Sequence, residues 1–211
     1  MFDFPALTAR LDGASSERLV LRSLAHADAW PLFDATSVPL FNEHLLWTRP
    51  ENAAAVRARV RVIVEAATCG ALTAMSAVRK DTGAWVGMFR FIPPTRGGAR
   101  ELEMTIWMHP RFWVGRYSYE LSCLCIGRAF EVSGLDRLVA SASLTNRSSF
   151  KLMESVGMVR TSRSVRLTEA GRELPLQDFA LDRARWHARM CSPDGRAPER
   201  ATVVEQQRAE V

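Results

Sequence analysis

Side chains that hold metals and disulfides are scarce in this 211-residue chain, which has four cysteines and four histidines. Cys69, Cys123, Cys125 and Cys191 match neither a zinc spacing nor a disulfide framework, and the first three sit in or beside apolar segments. Reduced, mostly buried thiols are the expectation. His26, His44, His109 and His187 show no pair at ligand spacing, so no metal site is expected. No apolar run reaches the roughly 18 residues that a membrane helix needs, and Met1-Phe2-Asp3-Phe4-Pro5 lacks a basic start followed by an apolar stretch. These absences predict a cytoplasmic protein without a membrane partner. Blocks of consecutive like charge are missing too, although 28 Lys+Arg against 23 Asp+Glu leave a net charge of +5. That balance favours an anionic ligand. Nucleic acid finds no support, since there is no zinc-finger spacing, basic helix or aromatic-basic strand motif.

What is present is enough apolar content, 47%, for one sizeable core. Residues 1–15 read as a weakly patterned lead-in, 16–190 as one domain, and 191–211 as a polar, flexible tail. Glu17 to Leu24 alternates as a first strand, and a short helix follows from about Ala27 to Ala35, with Pro31 tolerable in its first turn. Val56, Val60, Ile63, Val64 and Ala67 recur at helical spacing after Pro50, with Arg57, Arg59 and Arg61 off that stripe. Leu72 to Val78 and Trp85 to Ile92 flank the turn-rich Lys80-Asp81-Thr82-Gly83 and predict a hairpin. Glu101 to Met108 is a further strand, with Glu103, Thr105 and Trp107 on one side and Met104, Ile106 and Met108 on the other. A helix, a strand, a helix and two strands are then expected at about 117–132, 136–143, 147–156, 158–167 and 176–183. This order predicts an α/β sandwich around one mixed, mostly antiparallel sheet of seven strands, with helices on both faces.

The most informative stretch runs from Asn146 to Met158. Asn146 is a good N-cap, Ser149, Leu152, Met153 and Val156 fall on one helical stripe, and Gly157 supplies the stop. The run resembles the N-x-x-S-x-x-L-x-E-x-x-G-hydrophobic segment of GCN5-related N-acetyltransferases (GNAT), most closely the RimJ/RimL-like ribosomal-protein subgroup. That resemblance extends from about Glu17 to Trp186. It implies a bulged strand near 101–108 that splays, as strand four, from strand five near 136–143, opening a V-shaped slot for a pantetheine arm.

The resemblance further implies acetyl-CoA as co-substrate, an amine acceptor (a peptide or protein N-terminus, or a small amine), and direct transfer. A homodimer is compatible with the reading. The diphosphate would lie on Trp113-Val114-Gly115-Arg116-Tyr117-Ser118, which is similar to the subgroup's W-G-K-G-Y-A, at a helix start where free N–H groups and partial positive charge coincide. Val114 and Arg116 stand where the pattern has glycine. Two readings follow: Arg116 pairs with a phosphate, or the loop has decayed and the chain is a catalytically impaired acyl-CoA-binding or interaction module. By the same resemblance Ser149 protonates the leaving thiolate, Asn146 contacts the pantetheine, and Lys151 and Arg147 approach the outer phosphate. Glu103 would accept the amine proton, and a backbone N–H around Met108 or His109 would meet the oxyanion. His44 and Trp47 are candidates for an acceptor pocket. An α-amine, with a pKa of about 8 against about 10.4 for lysine, suits a modest base best.

Overall fold

The computed structural model describes residues 2–95, 97–132 and 134–191; the tail expected over 192–211 lies outside the described residues. Seven strands, β1 (Leu19–Ser23), β2 (Thr73–Arg79), β3 (Trp85–Ile92), β4 (Glu101–Met108), β5 (Arg137–Ser143), β6 (Val159–Leu167) and β7 (Glu173–Asp182), form one sheet. Their order is β1-β2-β3-β4-β5-β7-β6. Every neighbouring pair is antiparallel except β4 with β5. The helices are α1 (Phe4–Leu11), α2 (Ala29–Thr36), α3 (Pro39–Glu43), α4 (Ala53–Thr68), α5 (Tyr117–Phe130), α6 (Arg147–Ser155) and α7 (Arg183–Cys191). The α/β class, the mixed seven-stranded sheet and the helices on both faces are as the sequence predicts.

Strand periodicity divides the core in two. Leu102, Met104 and Met108 of β4 join Leu7 and Leu11 of α1, Leu121 and Ile126 of α5, Met153 of α6 and Trp186 of α7 on one face. On the other face α2, α3 and α4 cover Ala74, Trp85 and Met88, with Trp107 packed at the border. Asn52 caps α4 by accepting from the Ala55 N–H at 3.0 Å, and the predicted stripe of Val56, Val60 and Ile63 is the buried one.

A buried polar knot ties the second layer to the sheet. The Asp28 carboxylate accepts from both Arg22 Nη atoms, from the Ala25 N–H at 2.9 Å and from Ser76 Oγ at 2.7 Å. Ser76 Oγ in turn accepts from Trp85 Nε1 at 3.1 Å. Burial alone would raise the Asp28 pKa, but these donors, Arg22 foremost, hold it below its ordinary value.

Three expectations are corrected, and one helix was not foreseen. Residues 4–11 are no lead-in: Phe4, Leu7 and Leu11 of α1 are core residues. α7 was not legible, because one apolar residue, Trp186, anchors it while Arg185 and Arg189 donate to the Gly157 and Ser155 carbonyls. Cys69 is exposed rather than buried, since it sits past the last turn of α4. β4 keeps an unbroken register with β3 from Glu103↔Ile92 to Met108↔Gly87, so the expected bulge is not there. The irregularity lies one strand over, in the β2–β3 pairing at Ala77/Val78.

Two outcomes are expected. A Cβ on Gly87 would lie 2.3 Å from the Trp107 carbonyl oxygen, a backbone atom that cannot turn aside. Gly87→Ala should therefore cost about 1–3 kcal/mol in urea unfolding. For Asp28, a depressed folded-state pKa means its stabilisation is full above the unfolded value near 3.8 and is lost as pH falls through the folded value. Asp28→Asn should flatten the acid limb of stability against pH below about 4.

Candidate active site

β4 and β5 are paired only from Glu101↔Arg137 to Glu103↔Val139. Beyond Glu103 the strands part, and the V-shaped slot opens toward their C-terminal ends. Backbone direction along β4 follows from one bond: the His109 N–H donates to the Val86 carbonyl at 2.9 Å, toward β3. Alternation in an antiparallel ladder then turns the N–H and C=O of Met108, Ile106 and Met104 the other way, into the slot. The Met108 carbonyl confirms the direction by accepting from Trp113 Nε1 at 3.0 Å. His109 is thus removed as a backbone donor to a ligand. Its ring is buried as well, with Nε2 3.0 Å from Asp34 Oδ2 and Nδ1 accepting from the Arg111 N–H.

Because α5 follows β4 and α6 follows β5, both helices begin at the open end of the slot. At the first of these ends Gly115 has φ 80° and Arg116 has φ 62°, the one non-glycine residue with positive φ among the described residues. Arg116 thus adopts the left-handed conformation that the missing glycine would supply, at a cost of about 1–2 kcal/mol. Val114 is 79% exposed, so its added side chain points to solvent. The Arg116 guanidinium lies over the Tyr119 ring at 4.7 Å. Tyr117 and Ser118, half-buried, form the first turn of α5.

Arg18 and Glu120 hold this loop, and no local pattern in the chain foretells their pairing across 102 positions. Glu120 accepts from Ser16 Oγ at 2.6 Å, from the Arg18 N–H at 2.8 Å and from Arg18 Nε at 2.7 Å. Burial pushes the Glu120 pKa up, but these donors outweigh it and leave it below its ordinary value. Arg18 also donates to the Gly115 carbonyl at 2.9 Å and covers the Tyr117 ring at 4.1 Å. One guanidinium thereby fixes a carboxylate, a loop carbonyl and an aromatic ring.

At the second helix start Asn146 Oδ1 accepts from the Ser149 N–H at 3.0 Å, the predicted cap. Ser149 is half-buried, and its hydroxyl has no hydrogen-bond partner among the described residues. Arg147 and Lys151 are exposed on the outer side. The stripe ends in buried Met153 and Val156, with Gly157 at φ 91° beyond.

The other face of β4 carries Glu103, Thr105 and Trp107, and Trp107 packs against the second core layer. Glu103 is buried, and both of its oxygens are taken by Arg166, at 2.9 and 3.2 Å. Any amine approaching Glu103 competes with Arg166 for its oxygens. Trp107 stacks on Trp47 at 4.8 Å, with Arg90 over Trp107 at 4.8 Å and Arg59 over Trp47 at 4.6 Å. The β6–β7 turn arches over this face: Glu169 accepts from Arg59 and from the Thr48 N–H, and its own N–H donates to the Leu46 carbonyl at 2.8 Å. His44 reaches the β5–α6 junction, with Nδ1 3.4 Å from Thr145 Oγ1. Arg90 and Arg166 were not foreseen, since a strand arginine in sequence reads as solvated.

Comparison with known proteins bears on this architecture. The sequence model of a family described as "Acetyltransferase (GNAT) domain" matches residues 18–159. No curated protein matches. Among solved structures, a putative acetyltransferase from T. thermophilus superposes with a TM-score of 0.72 at 19% identity, over 84% of this chain and 92% of that one. Spermidine N-acetyltransferase from Vibrio cholerae, in complex with CoA and spermine, gives 0.68 at 14% identity, over 82% and 99%. RimJ from Mycobacterium smegmatis, in complex with CoA-disulfide, gives 0.67 at 16% identity, over 81% and 88%. At these identities the likeness is one of fold, whereas the family match spans more than half of the sequence, and on that match the chain belongs to the GNAT acetyltransferase family.

Proposed function

We propose that the protein is an acetyl-CoA-dependent N-acetyltransferase of the RimJ/RimL-like kind, transferring acetyl directly to a primary amine, with an N-terminal α-amine favoured. The observation that carries this reading is the slot beyond Glu103, with the Met108 N–H facing into it and the Ser149 helix beginning at its open end. Acetyl-CoA supplies the acetyl thioester. Gly115, Tyr117 and Ser118 would offer backbone N–H groups to the diphosphate, and Arg116 a positive charge that can swing from Tyr119 to a phosphate. Neither added side chain fills the loop: Val114 is exposed and Arg116 keeps the glycine-like backbone turn.

In the transfer, the amine nitrogen bonds to the carbonyl carbon and the carbon–sulfur bond breaks. The Met108 N–H would hold the carbonyl oxygen as it gains charge. The Ser149 hydroxyl would give a proton to the departing thiolate, and the amine would lose one to solvent, which returns one to Ser149. With Glu103 engaged by Arg166, we assign it a positioning role, holding the β6–β7 hairpin over the slot. A site with so little free base suits an acceptor that is partly neutral at pH 7, hence an α-amine. Direct transfer is supported by the helix cysteines, because burial pushes the Cys123 and Cys125 thiols up and away from nucleophilic thiolate.

Calorimetry with acetyl-CoA, followed by thiol release with a peptide acceptor, tests the reading. Binding heat and turnover are expected; silence at millimolar acetyl-CoA would remove the enzyme assignment, and binding without transfer would leave an acyl-CoA-binding module. Ser149→Ala should lower kcat by about 100-fold while acetyl-CoA affinity stays within about threefold. Equal losses in both would reduce the serine to ligand positioning. Arg116→Gly keeps the backbone turn and deletes the charge, so acetyl-CoA affinity should fall about 10-fold; unchanged affinity would mean that the guanidinium never reaches a phosphate.

A further inference from the structure

We propose that the acceptor carries a carboxylate, bound by the Arg90 guanidinium on the acceptor side of the slot, so that the substrates are α-amino acids or peptides beginning with Asp or Glu. The inference rests on the acetyl-transfer reading above and names its substrate class. Arg90 stands on β3 directly opposite Thr105 of β4, one strand, about 5 Å, from the edge where the slot opens. It shares a face with Glu103, Thr105 and Trp107.

Two contacts fix the Arg90 plane. Nε donates to Thr105 Oγ1 at 3.1 Å, and the guanidinium lies over the Trp107 ring. Neither contact is a hydrogen bond from an Nη atom, and among the described residues no carboxylate forms an ion pair with the guanidinium. The carboxylates near this wall already have partners. Glu103 is held bidentately by Arg166. Glu169 is held by Arg59 and the Thr48 N–H. Asp178, on β7 across the slot, accepts from the hydroxyls of Ser141, Ser162 and Ser164.

The unmatched charge is costly where it stands. Burial lowers the Arg90 pKa to about 10, with Arg59 adding to the shift and Glu103 opposing it, so the group remains a cation at pH 7 without a counter-ion of its own. A planar fork of donors, pre-oriented by a ring and a hydroxyl, is the arrangement that recognises a planar carboxylate. The Trp47–Trp107 stack makes the platform rigid, so little ordering remains to be done on binding. A carboxylate docked there takes no part in bond making; it sets which amine is delivered to the thioester. Polyamines, which bring only positive charge to Arg90, should be poor acceptors.

The experiment compares acceptors by thiol release from acetyl-CoA: peptides beginning Asp, Glu, Ser, Ala and Lys, free serine and its carboxylate-free counterpart serinamide, and spermidine. The expected result is a kcat/KM for Asp- or Glu-initiated peptides over Ser- or Ala-initiated ones, or for free serine over serinamide, of at least about 10-fold, with spermidine lowest. Peptide and free-acid arms identify the source of the carboxylate. Arg90→Gln should bring acidic and neutral acceptors within about threefold of each other, mainly through KM for the acidic ones, and Arg90→Lys should restore the preference only in part. Neutral or cationic acceptors equal to or better than acidic ones in the unaltered protein would overturn the proposal while leaving acetyl transfer intact. Quenching of tryptophan fluorescence by N-acetyl-aspartate, set against N-acetyl-alaninamide, separates the remaining outcomes. Acidic-selective, Arg90-dependent quenching without turnover of any acceptor would uphold the carboxylate site and remove the transfer reading. No turnover and no selective quenching would overturn both.

Discussion

β4 changes partners at Glu103, being in register with β5 from Glu101 to Glu103 and with β3 from Glu103 to Met108, and the functional geometry follows from that exchange. Up to Glu103 its partner is β5; from Met104 to Met108 its β3 edge stays in register while its β5 edge has no strand partner. Backbone donors and acceptors left without partners in a half-buried place are costly, so something must meet them. Trp113 Nε1 meets the Met108 carbonyl. The remaining groups form a strand edge that an extended ligand can join as a neighbouring strand would. Because β5 leaves at the same point, the helices that follow the two strands both present their N-termini to the opening.

The loop before α5 shows how a backbone shape survives the loss of the residue type that usually provides it. A left-handed residue is needed to turn from the Trp113 segment into the helix, and Arg116 provides it against its own preference. Strain of this kind persists only where the surroundings over-determine it. Here Arg18 is the determinant: with Glu120, the Gly115 carbonyl and the Tyr117 ring all bound to one guanidinium, the loop cannot relax without losing each contact. The seating of Arg18 just ahead of β1 thus supports a turn that lies 97 positions later in the chain.

The sheet and most helices were legible because their periodicities are clean. β4 shows alternating faces, α4 a stripe of Val56, Val60 and Ile63, and α6 a cap, a stripe and a glycine stop. α1 and α7 were not, for different reasons. α1 has only Phe4, Leu7 and Leu11 over two turns, a pattern too short to stand out, and α7 is held by arginines donating to distant carbonyls. Among site residues, Asn146 was found because capping is a local property. The partner of Glu103 was not, because Arg166 reaches it from the far edge of the sheet, and long-range pairing leaves no local trace. The same limit applies to the backbone donor: sequence could offer Met108 and His109, but the choice between them is a matter of strand phase, which a single bond to Val86 decides.

The acceptor side is governed by how its charges are distributed rather than by how many there are. Glu103 ties down Arg166 of β6 and Arg59 ties down Glu169 in the β6–β7 turn, so both carboxylates are spent on holding the hairpin over the sheet and are withdrawn from any other cation. The Glu103 charge is felt at Arg90, yet its hydrogen bonds go to Arg166. Committing Glu103 to the hairpin separates two tasks that one carboxylate could not serve together: closing the slot and balancing the strand arginine. Burial of Arg90 raises both the cost of its isolated charge and the strength of any ion pair it makes. On the proposal that the acceptor brings a carboxylate, this burial and a guanidinium that is pre-oriented but unmatched would act on the same quantity, the gain from seating an anion beside the open edge of β4.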